Sequence, residues 1–548
     1  MRHAGVAVSW PDSSDTVNRR TPPRGKQYAL LAVFVLFVAT SHSAGAAPKD
    51  LDTGFGTNGT IGANRTGFAR ETTKAVARQS DGKLVIAGDC YDDGGDRTPA
   101  RFCVRRLLTS GGIDSGFGGD GTGVTRIGFF SPNSGESATA VAVQSDGKIV
   151  VGGACNSDAT GASVRGRFCV TRLLPNGGVD SASFGVLGQW SAQLMPNSGG
   201  SGSDSDESLS TLLLQPDGKI VVVGRCTVIS ATADQNFICH HRLGTNGQVD
   251  SGYVPVVIPD QSSASKPAVL QTDGKIVLGG QCRNPVSMLL QGCVTRLTAS
   301  GALDSQTFGN NGQSDHVEAL GIEFFTNTLA IQGGGELVLA GSCSTTSGNR
   351  IFRFCVRRWR ANGSVDAAFS AASSAVPGTT TQAFPTSMAV QGDGKIIVAG
   401  TCVLSNLTIT ICLSRFNADG SRDAVFGPDT VPIGISSGND LAPQTVAQPD
   451  GTILLAATCG IFSVDPPSRN VCAARLIGGP TEFSSCSGDV NGDGEINATD
   501  SLILARVAHG FNGSAVMQGI PFASHATRKT WPQIRDYLSN HCAMRTPL

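Results

Sequence analysis

The twelve residues "DVNGDGEINATD", Asp489 to Asp500, carry the strongest chemical signal in the chain. Asp489, Asn491 and Asp493 alternate, and Asn497 and Asp500 follow at the ninth and twelfth places. Oxygens at that spacing can converge on one hard cation, and Ca2+ is the expected ion. Gly494 sits where such a loop turns sharply, and the backbone carbonyl of Glu495 is the expected seventh-position ligand. The apolar run "SLILARVA" directly after it reads as a helix. The competing reading is a solvated acidic turn, which requires none of this spacing.

Cysteine is the second residue type with chemistry to offer. Fourteen of the 16 fall in pairs 10 to 14 residues apart: Cys90/Cys103, Cys155/Cys169, Cys226/Cys239, Cys282/Cys293, Cys343/Cys355, Cys402/Cys412 and Cys459/Cys472. None forms a C-x-x-C knuckle and no histidine recurs beside them, so metal ligation is the weaker reading. Structural disulfides are predicted, and with them an oxidising compartment. Cys486 and Cys542 bracket the C-terminal segment and are expected to close an eighth bridge.

Other candidates are sparse. His240-His241 could ligate or exchange protons, but neighbours on a strand point to opposite faces. Lys83, Lys148, Lys219, Lys275 and Lys395 recur and read as solvated turn residues. Asp114, Asp180, Asp250, Asp304, Asp366 and Asp423 recur before a Phe-Gly end and read as turn or capping acceptors. No nucleophile-elbow, zincin or P-loop pattern stands out. A net charge of −1 gives no reason to expect a nucleic-acid partner.

The elements that must hold these residues are repeats. "VQSDGKIVVGGAC" has seven copies, with glutamines at Gln79, Gln144, Gln215, Gln271, Gln332, Gln391 and Gln448, spaced 56 to 71 residues apart. Short apolar runs flank Asp-Gly, a dipeptide suited to a type I′ hairpin turn. "FCVTRLL" supplies a third strand, and "GVTRIGF" after "FGGDGT" a fourth. Four short antiparallel strands per unit, repeated seven times, predict a seven-bladed β-propeller with one disulfide per blade. The first cysteine of each pair then ends one strand and the second begins its antiparallel neighbour, opposite each other and close enough to bond. "LDTGFGTNGT" at residues 51–60 matches the ends of later units, whereas the last unit, ending "CAARLIGG", lacks that tail. The N-terminal piece is therefore expected to complete the last blade.

Residues 1–47 read as a signal peptide: Arg19, Arg20, Arg24 and Lys26, then "YALLAVFVLFVAT", then an A-x-A site at Ala44 and Ala46. The apolar run is short for a membrane span. The mature chain is expected to be secreted, periplasmic or at the cell surface, without a membrane span.

The pattern Q-x-D-G-K-I-V-x-x-G, then V-x-R-L, then x-x-G-x-x-D-x-x-F-G, resembles the delta-60 repeat family of bacterial secreted β-propellers over residues 48–480. That resemblance implies a fold and export, and no defined reaction. Three units depart from it: Gly334 and Glu336 in the fifth, Thr452 in the seventh, and "SGYVPVV" in the third. Residues 481–548 resemble one repeat of a type I dockerin, a helical EF-hand-like module with the pattern D-x-N-x-D-G-x-x-N-x-x-D. The resemblance implies calcium binding and docking onto a cohesin-like module, with Ala498 and Thr499 at recognition positions. A full dockerin has two such loops and this segment has one. The reading is an exported, non-catalytic binding or surface-scaffold protein with a calcium-binding tail, its partner a protein module or a glycan. The alternative is a polysaccharide-degrading or other carbohydrate-active enzyme carrying the same tail.

Overall fold

In the computed structural model every Asp-Gly segment makes the same hairpin, with a turn other than type I′. Among the turn residues only the glycine takes positive φ, 81° to 86° at Gly82, Gly147, Gly218, Gly274, Gly335, Gly394 and Gly451. In the second blade the Gly147 N–H donates to the Gln144 carbonyl at 2.9 Å, and the Gln144 N–H to the Lys148 carbonyl at 2.8 Å. This is a three-residue loop, a type I turn closed by a left-handed glycine. Asp146 needs no special backbone; its Oδ1 accepts the Lys148 N–H at 3.1 Å. Gly334 can therefore replace the aspartate in the fifth unit while Gly335 keeps the turn. The structure describes residues 50–541 except 63–69, 92–99, 131–134, 157–165, 195–203, 230–233, 261–266, 285–286, 315–321, 346–350, 370–372, 375–379, 406–408, 427–440, 462–467, 479–488, 494, 496, 509–513 and 525. The expected signal peptide, Gly494, Cys486 and Cys542 lie outside the described residues.

Strands Glu136–Val143, Ile149–Asn156, Gly166–Leu173 and Gln189–Ala192 form the second blade, antiparallel and in sequence order. Seven units of this kind make a seven-bladed β-propeller. The first strand of each blade contacts that of the next, and Leu441–Ala447 of the last contacts Ala75–Arg78 of the first, so these strands lie nearest the axis. In the fourth blade the outer strand shrinks to a few contacts, among them Ser314 N–H to the Val294 carbonyl at 2.9 Å.

The ring closes as the sequence suggests. Strand Thr60–Ile61 pairs antiparallel with Ser468–Leu476, matching Thr60 to Ala474 and Ile61 to Ala473. Leu51 bridges Leu476 as well. The first segment of the propeller is thus the outer strand of its last blade.

Inner strands carry bulges, between Ala138 and Ala140, Leu209 and Thr211, Thr326 and Thr328, and Pro385 and Ser387. The bulge brings a carbonyl against the facing strand: the Ser137 oxygen lies 1.9 Å from where a Cβ on Gly153 would stand. That close approach, rather than any turn, is why the motif holds a glycine two residues before its cysteine. Cores form between blades, as where Phe102, Val104 and Phe117 of the first meet Ala138, Val151 and Cys155 of the second. Stacking thus buries both faces of sheets that could not bury them singly.

Six of the seven cysteine pairs are disulfides: Cys90–Cys103, Cys155–Cys169, Cys226–Cys239, Cys343–Cys355, Cys402–Cys412 and Cys459–Cys472, with Cα–Cα distances of 5.7 to 5.9 Å. The pairing is as expected, but the placement within the strands is not. Cys103, Cys169, Cys239, Cys355, Cys412 and Cys472 stand at the third to fifth residue of their strands rather than the first. Nor do they face their partners. Cys103 is opposite Gly88 while Cys90 is opposite Arg101, and Cys169 is opposite Gly153 while Cys155 is opposite Arg167. Cys239, Cys355 and Cys412 likewise face Gly224, Gly341 and Gly400, and Cys472 faces Ala457. Each bridge therefore runs along a diagonal of its hairpin, the two ends brought together by the twist of the sheet.

The fourth pair corrects the expectation of one bridge per blade. Cys282 faces Gln291 and Cys293 faces Gly280, the register used elsewhere, yet the two sulfurs are not joined to each other. The Cys282 thiol is directed at the Gln291 carbonyl, 3.9 Å away.

The C-terminal segment is helical: α1 (Ala498–Ala508), α2 (Ser514–Met517) and α3 (Trp531–His541). Val490, Ile503, Val507, Val516, Ile534 and Leu538 make its own apolar core.

Candidate functional site

An arginine that the sequence reading quoted in V-x-R-L but gave no role occupies the centre of every blade junction. In the second blade Arg172 Nε donates to Asp180 Oδ2 at 2.9 Å, and its Nη1 to the Thr245 carbonyl of the third blade at 2.5 Å. Its guanidinium carbon stands 4.6 Å from the Phe184 ring centroid. Arg106, Arg242, Arg296, Arg358, Arg415 and Arg475 repeat the arrangement on Asp114, Asp250, Asp304, Asp366, Asp423 and Asp52. All seven rings lie 4.4 to 4.9 Å from the cation, favourable for cation–π attraction. Each reaches a carbonyl of the next blade, and Arg475 of the last reaches Thr109 of the first at 2.9 Å.

The recurrent aspartates and lysines belong to this girdle. Asp114 Oδ1 does accept the Gly116 N–H at 3.2 Å, the expected capping role, but Oδ2 holds Arg106. Lys83, Lys148, Lys219, Lys275 and Lys395 lie 3.0 to 3.4 Å from the same carboxylates, so they are paired. Burial pushes the Asp180 carboxyl up, yet the Ser183 hydroxyl and the Arg172 cation together hold it below the ordinary value. The hydrogen bond from Lys219, with further N–H donors and Arg242, lowers Asp250 to about 2. The repeated glutamine joins in: Gln332 Nε2 donates to the Gly394 carbonyl of the sixth blade at 2.8 Å, and its Oε1 accepts from Arg358 at 2.8 Å. A signal was present in the sequence, an arginine eight residues before each recurrent aspartate. Its meaning depends on which blades are neighbours.

His240 is 2% exposed. Its Nε2 accepts the Val256 N–H at 3.3 Å, so Nδ1 carries the proton and donates to the Tyr253 oxygen at 2.7 Å. Burial, and then the neighbouring His241, lowers its pKa to about 4. Both imidazoles lie within 6.2 Å of the Tyr253 ring, closer together than strand alternation implies. Tyr253 replaces the phenylalanine of the other units, and His240 satisfies the hydroxyl this brings into the blade. Elsewhere Phe325, Phe352 and Phe384 form a contiguous aromatic group between the fifth and sixth blades, with centroids 5.8 and 5.3 Å apart and Phe384 exposed.

In the tail, one carboxylate oxygen from each of Asp489, Asp493 and Asp500 lies within 4.8 Å of the others. Two oxygens at 2.3–2.6 Å from one Ca2+ can be about that far apart, so the three fit a shared ion. Asp500 is fully buried; its Oδ1 accepts the N–H groups of Val490 and Asn491 at 2.6 and 3.0 Å. Asn497 caps α1, accepting the Thr499 N–H at 2.8 Å, while Asp500 Oδ2 accepts the Asn497 N–H at 3.1 Å. This reciprocal capping box commits the Asn497 oxygen to the start of the helix. Asn491 is buried, with Oδ1 accepting the Asp493 N–H at 2.8 Å, and Glu495 is exposed. Arg528, unforeseen from the sequence, ties the loop to the last helix: it donates to the Val490 and Asp489 carbonyls at 2.8 and 2.7 Å and lies 3.8 Å from the Tyr537 ring centroid.

Four of the seven repeats, residues 79–117, 144–182, 215–253 and 391–426, match the family model described as domain of unknown function (DUF5122) beta-propeller. No curated protein matches the chain. Similar solved structures include a protein of unknown function from Dyadobacter fermentans, 10% identical with a TM-score of 0.38, over 62% of this chain and 93% of that one. An alpha-L-arabinofuranosidase from Fusarium graminearum is 11% identical with a TM-score of 0.35, over 62% and 92%. The propeller domain of a trilobed protease from Pyrococcus furiosus is 10% identical with a TM-score of 0.39, over 76% and 94%. The chain is a β-propeller repeat protein.

Proposed function

We propose that this is an exported, non-catalytic β-propeller that binds or displays partners through its variable loops, with a calcium-dependent dockerin-like tail as a second attachment point. The observation that carries the reading is the fate of the recurrent charged residues. The arginine and aspartate at every junction, and the lysine of five units, are bound to one another and the arginine to the next blade, which is the work of a scaffold. Propellers built this way carry specificity on loops that the scaffold holds in place. Export is supported by six local disulfides and the N-terminal apolar segment. Among the described residues no helix is long and apolar enough to cross a membrane.

Asp489, Asn491, Asp493 and Asp500 would hold the calcium ion, with the carbonyl of Glu495, and Asn497 through water. Bound calcium would offset most of the charge of three converging carboxylates and fix the start of α1. Titrating the isolated residues 481–548 and the full mature chain with Ca2+ checks this. Helical ellipticity and the melting temperature of the tail should rise with calcium and fall with chelator, and Asp493→Ala should abolish the response. An unchanged tail in both samples removes calcium from the reading. For the propeller, the mature protein in calcium should release no reducing ends from a polysaccharide panel. Heat-sensitive release that survives repurification would make it an enzyme.

A further inference from the structure

The seven blade junctions are built alike but not sealed alike. At the junctions following blades three to six, the glutamine before the Asp-Gly turn accepts a hydrogen bond from its own blade's arginine: Gln215 from Arg242, Gln271 from Arg296, Gln332 from Arg358 and Gln391 from Arg415, at 2.8 to 3.4 Å. In the last blade Gln448 is held by Thr452 at 2.6 Å. Between blades two and three the seal is missing. Arg172 Nη1 donates to the Thr245 carbonyl and not to the glutamine, and Gln144 Oε1 is withdrawn from water without a hydrogen-bond donor. Gln79 Oε1, one junction earlier, also lacks a donor. A cavity of about 630 Å³ opens beside Gln144, within the range of small-molecule sites.

The lining says what would fit. Leu214 and Pro216 supply apolar lining, and Gln144, Ser145 and Asn246 supply uncharged polar groups. The two lining cations are already neutralised: Lys148 by Asp146 and Asp180 at 3.7 and 3.4 Å, and Arg172 by Asp180 at 2.9 Å. No net charge remains to draw in an anion. A buried carbonyl oxygen without a donor is destabilising, and a ligand O–H would supply the missing hydrogen bond. The terminal torsion of glutamine is soft, so Gln144 can present its oxygen to the groove without a backbone change.

We propose that the groove between blades two and three is a binding site for a neutral, hydroxyl-rich molecule of saccharide size. Its C–H face lies on Leu214 and Pro216, and a hydroxyl donates to Gln144 Oε1. This deepens the binding reading by naming a ligand class and a place for it.

The test uses the full mature chain and saturation-transfer NMR with glucose, N-acetylglucosamine, cellobiose, maltose and glucuronate as probes. At least one neutral probe should bind. Gln144→Leu should weaken it at least tenfold, and Ser145→Trp, whose side chain is exposed at the turn, should block it. Thr272→Trp, at the matching turn of the sealed fourth blade, should leave it unchanged. No signal from any neutral probe at about 10 mM, binding indifferent to Gln144→Leu and Ser145→Trp, or a preference for glucuronate would each overturn the proposal. Those failures leave the broader binding reading standing, because a partner held by the loops would still be retained by the Ser145→Trp chain on a glycan or protein array.

Discussion

His240 shows how one residue sets a condition for the whole chain. Its folded pKa is about 4, below the ordinary 6.5, because burial disfavours the imidazolium. The unfolded chain therefore binds a proton on His240 between pH 6.5 and 4 while the folded chain does not, so folding weakens as pH falls through that window. The shift corresponds to about 3 kcal/mol once both states are fully titrated, with no further loss from this group below about pH 4. Urea unfolding at about pH 7 and about pH 4.5 should show the loss in the native chain, and His240→Gln should show less of it. Equal pH dependence in the two would mean that the imidazole titrates freely. His241 is also lowered by burial and adds in the same direction, which is why the comparison changes His240 alone.

At the scale of the strand and the hairpin, the readable and the hidden parts of the sequence separate cleanly. The hairpins, the third strand and the cysteine pairs rest on contacts within 14 residues, where spacing alone carries the geometry. Spacing named the partners of each disulfide but not their diagonal offset, which follows from sheet twist and from where each strand begins. The turn type differs from the expectation because Asp-Gly suits two loops, and the choice is made by the next residue's pairing with glutamine. The arginine girdle was hidden for another reason. Its aspartate is eight residues away across an irregular turn, and its second partner lies on another blade, as with Arg415 and Gly478. The metal loop was legible from oxygen spacing, whereas Arg528, which ties that loop to α3, belongs to no motif. The girdle makes a graded prediction. Arg415 is 1% exposed and its loss leaves the buried Asp423 with Lys395 at 3.4 Å but without its closest cation, so Arg415→Ala should cost about 3 kcal/mol. Lys83 is 30% exposed, and Lys83→Ala should cost under about 1 kcal/mol. Urea unfolding ranks the two, and similar losses would deny the girdle its place in stability.

For the whole molecule, closure depends on a short stretch near the start of the propeller. Residues 51–61 give the last blade its outer strand, the Asp52 partner of Arg475 and the buried Phe55. A chain lacking residues 48–61 should expose the edge Ser468–Leu476, broaden its unfolding transition and self-associate, as unpaired edges do. A synthetic peptide of residues 50–62 added in excess should restore the monomer, and a truncated chain that unfolds like the full one would show that the ring holds without its clasp. Under the proposed export, the same closure would fix an order of events. Each disulfide joins residues 10 to 14 apart, so it can form as soon as its own hairpin has crossed the membrane, with few wrong cysteines yet present. The opening segment crosses first and finds its mate last, after roughly 400 further residues have been delivered. Throughout that interval the blades would accumulate as an oxidised but open arc, which only arrival of the seventh could convert into a ring.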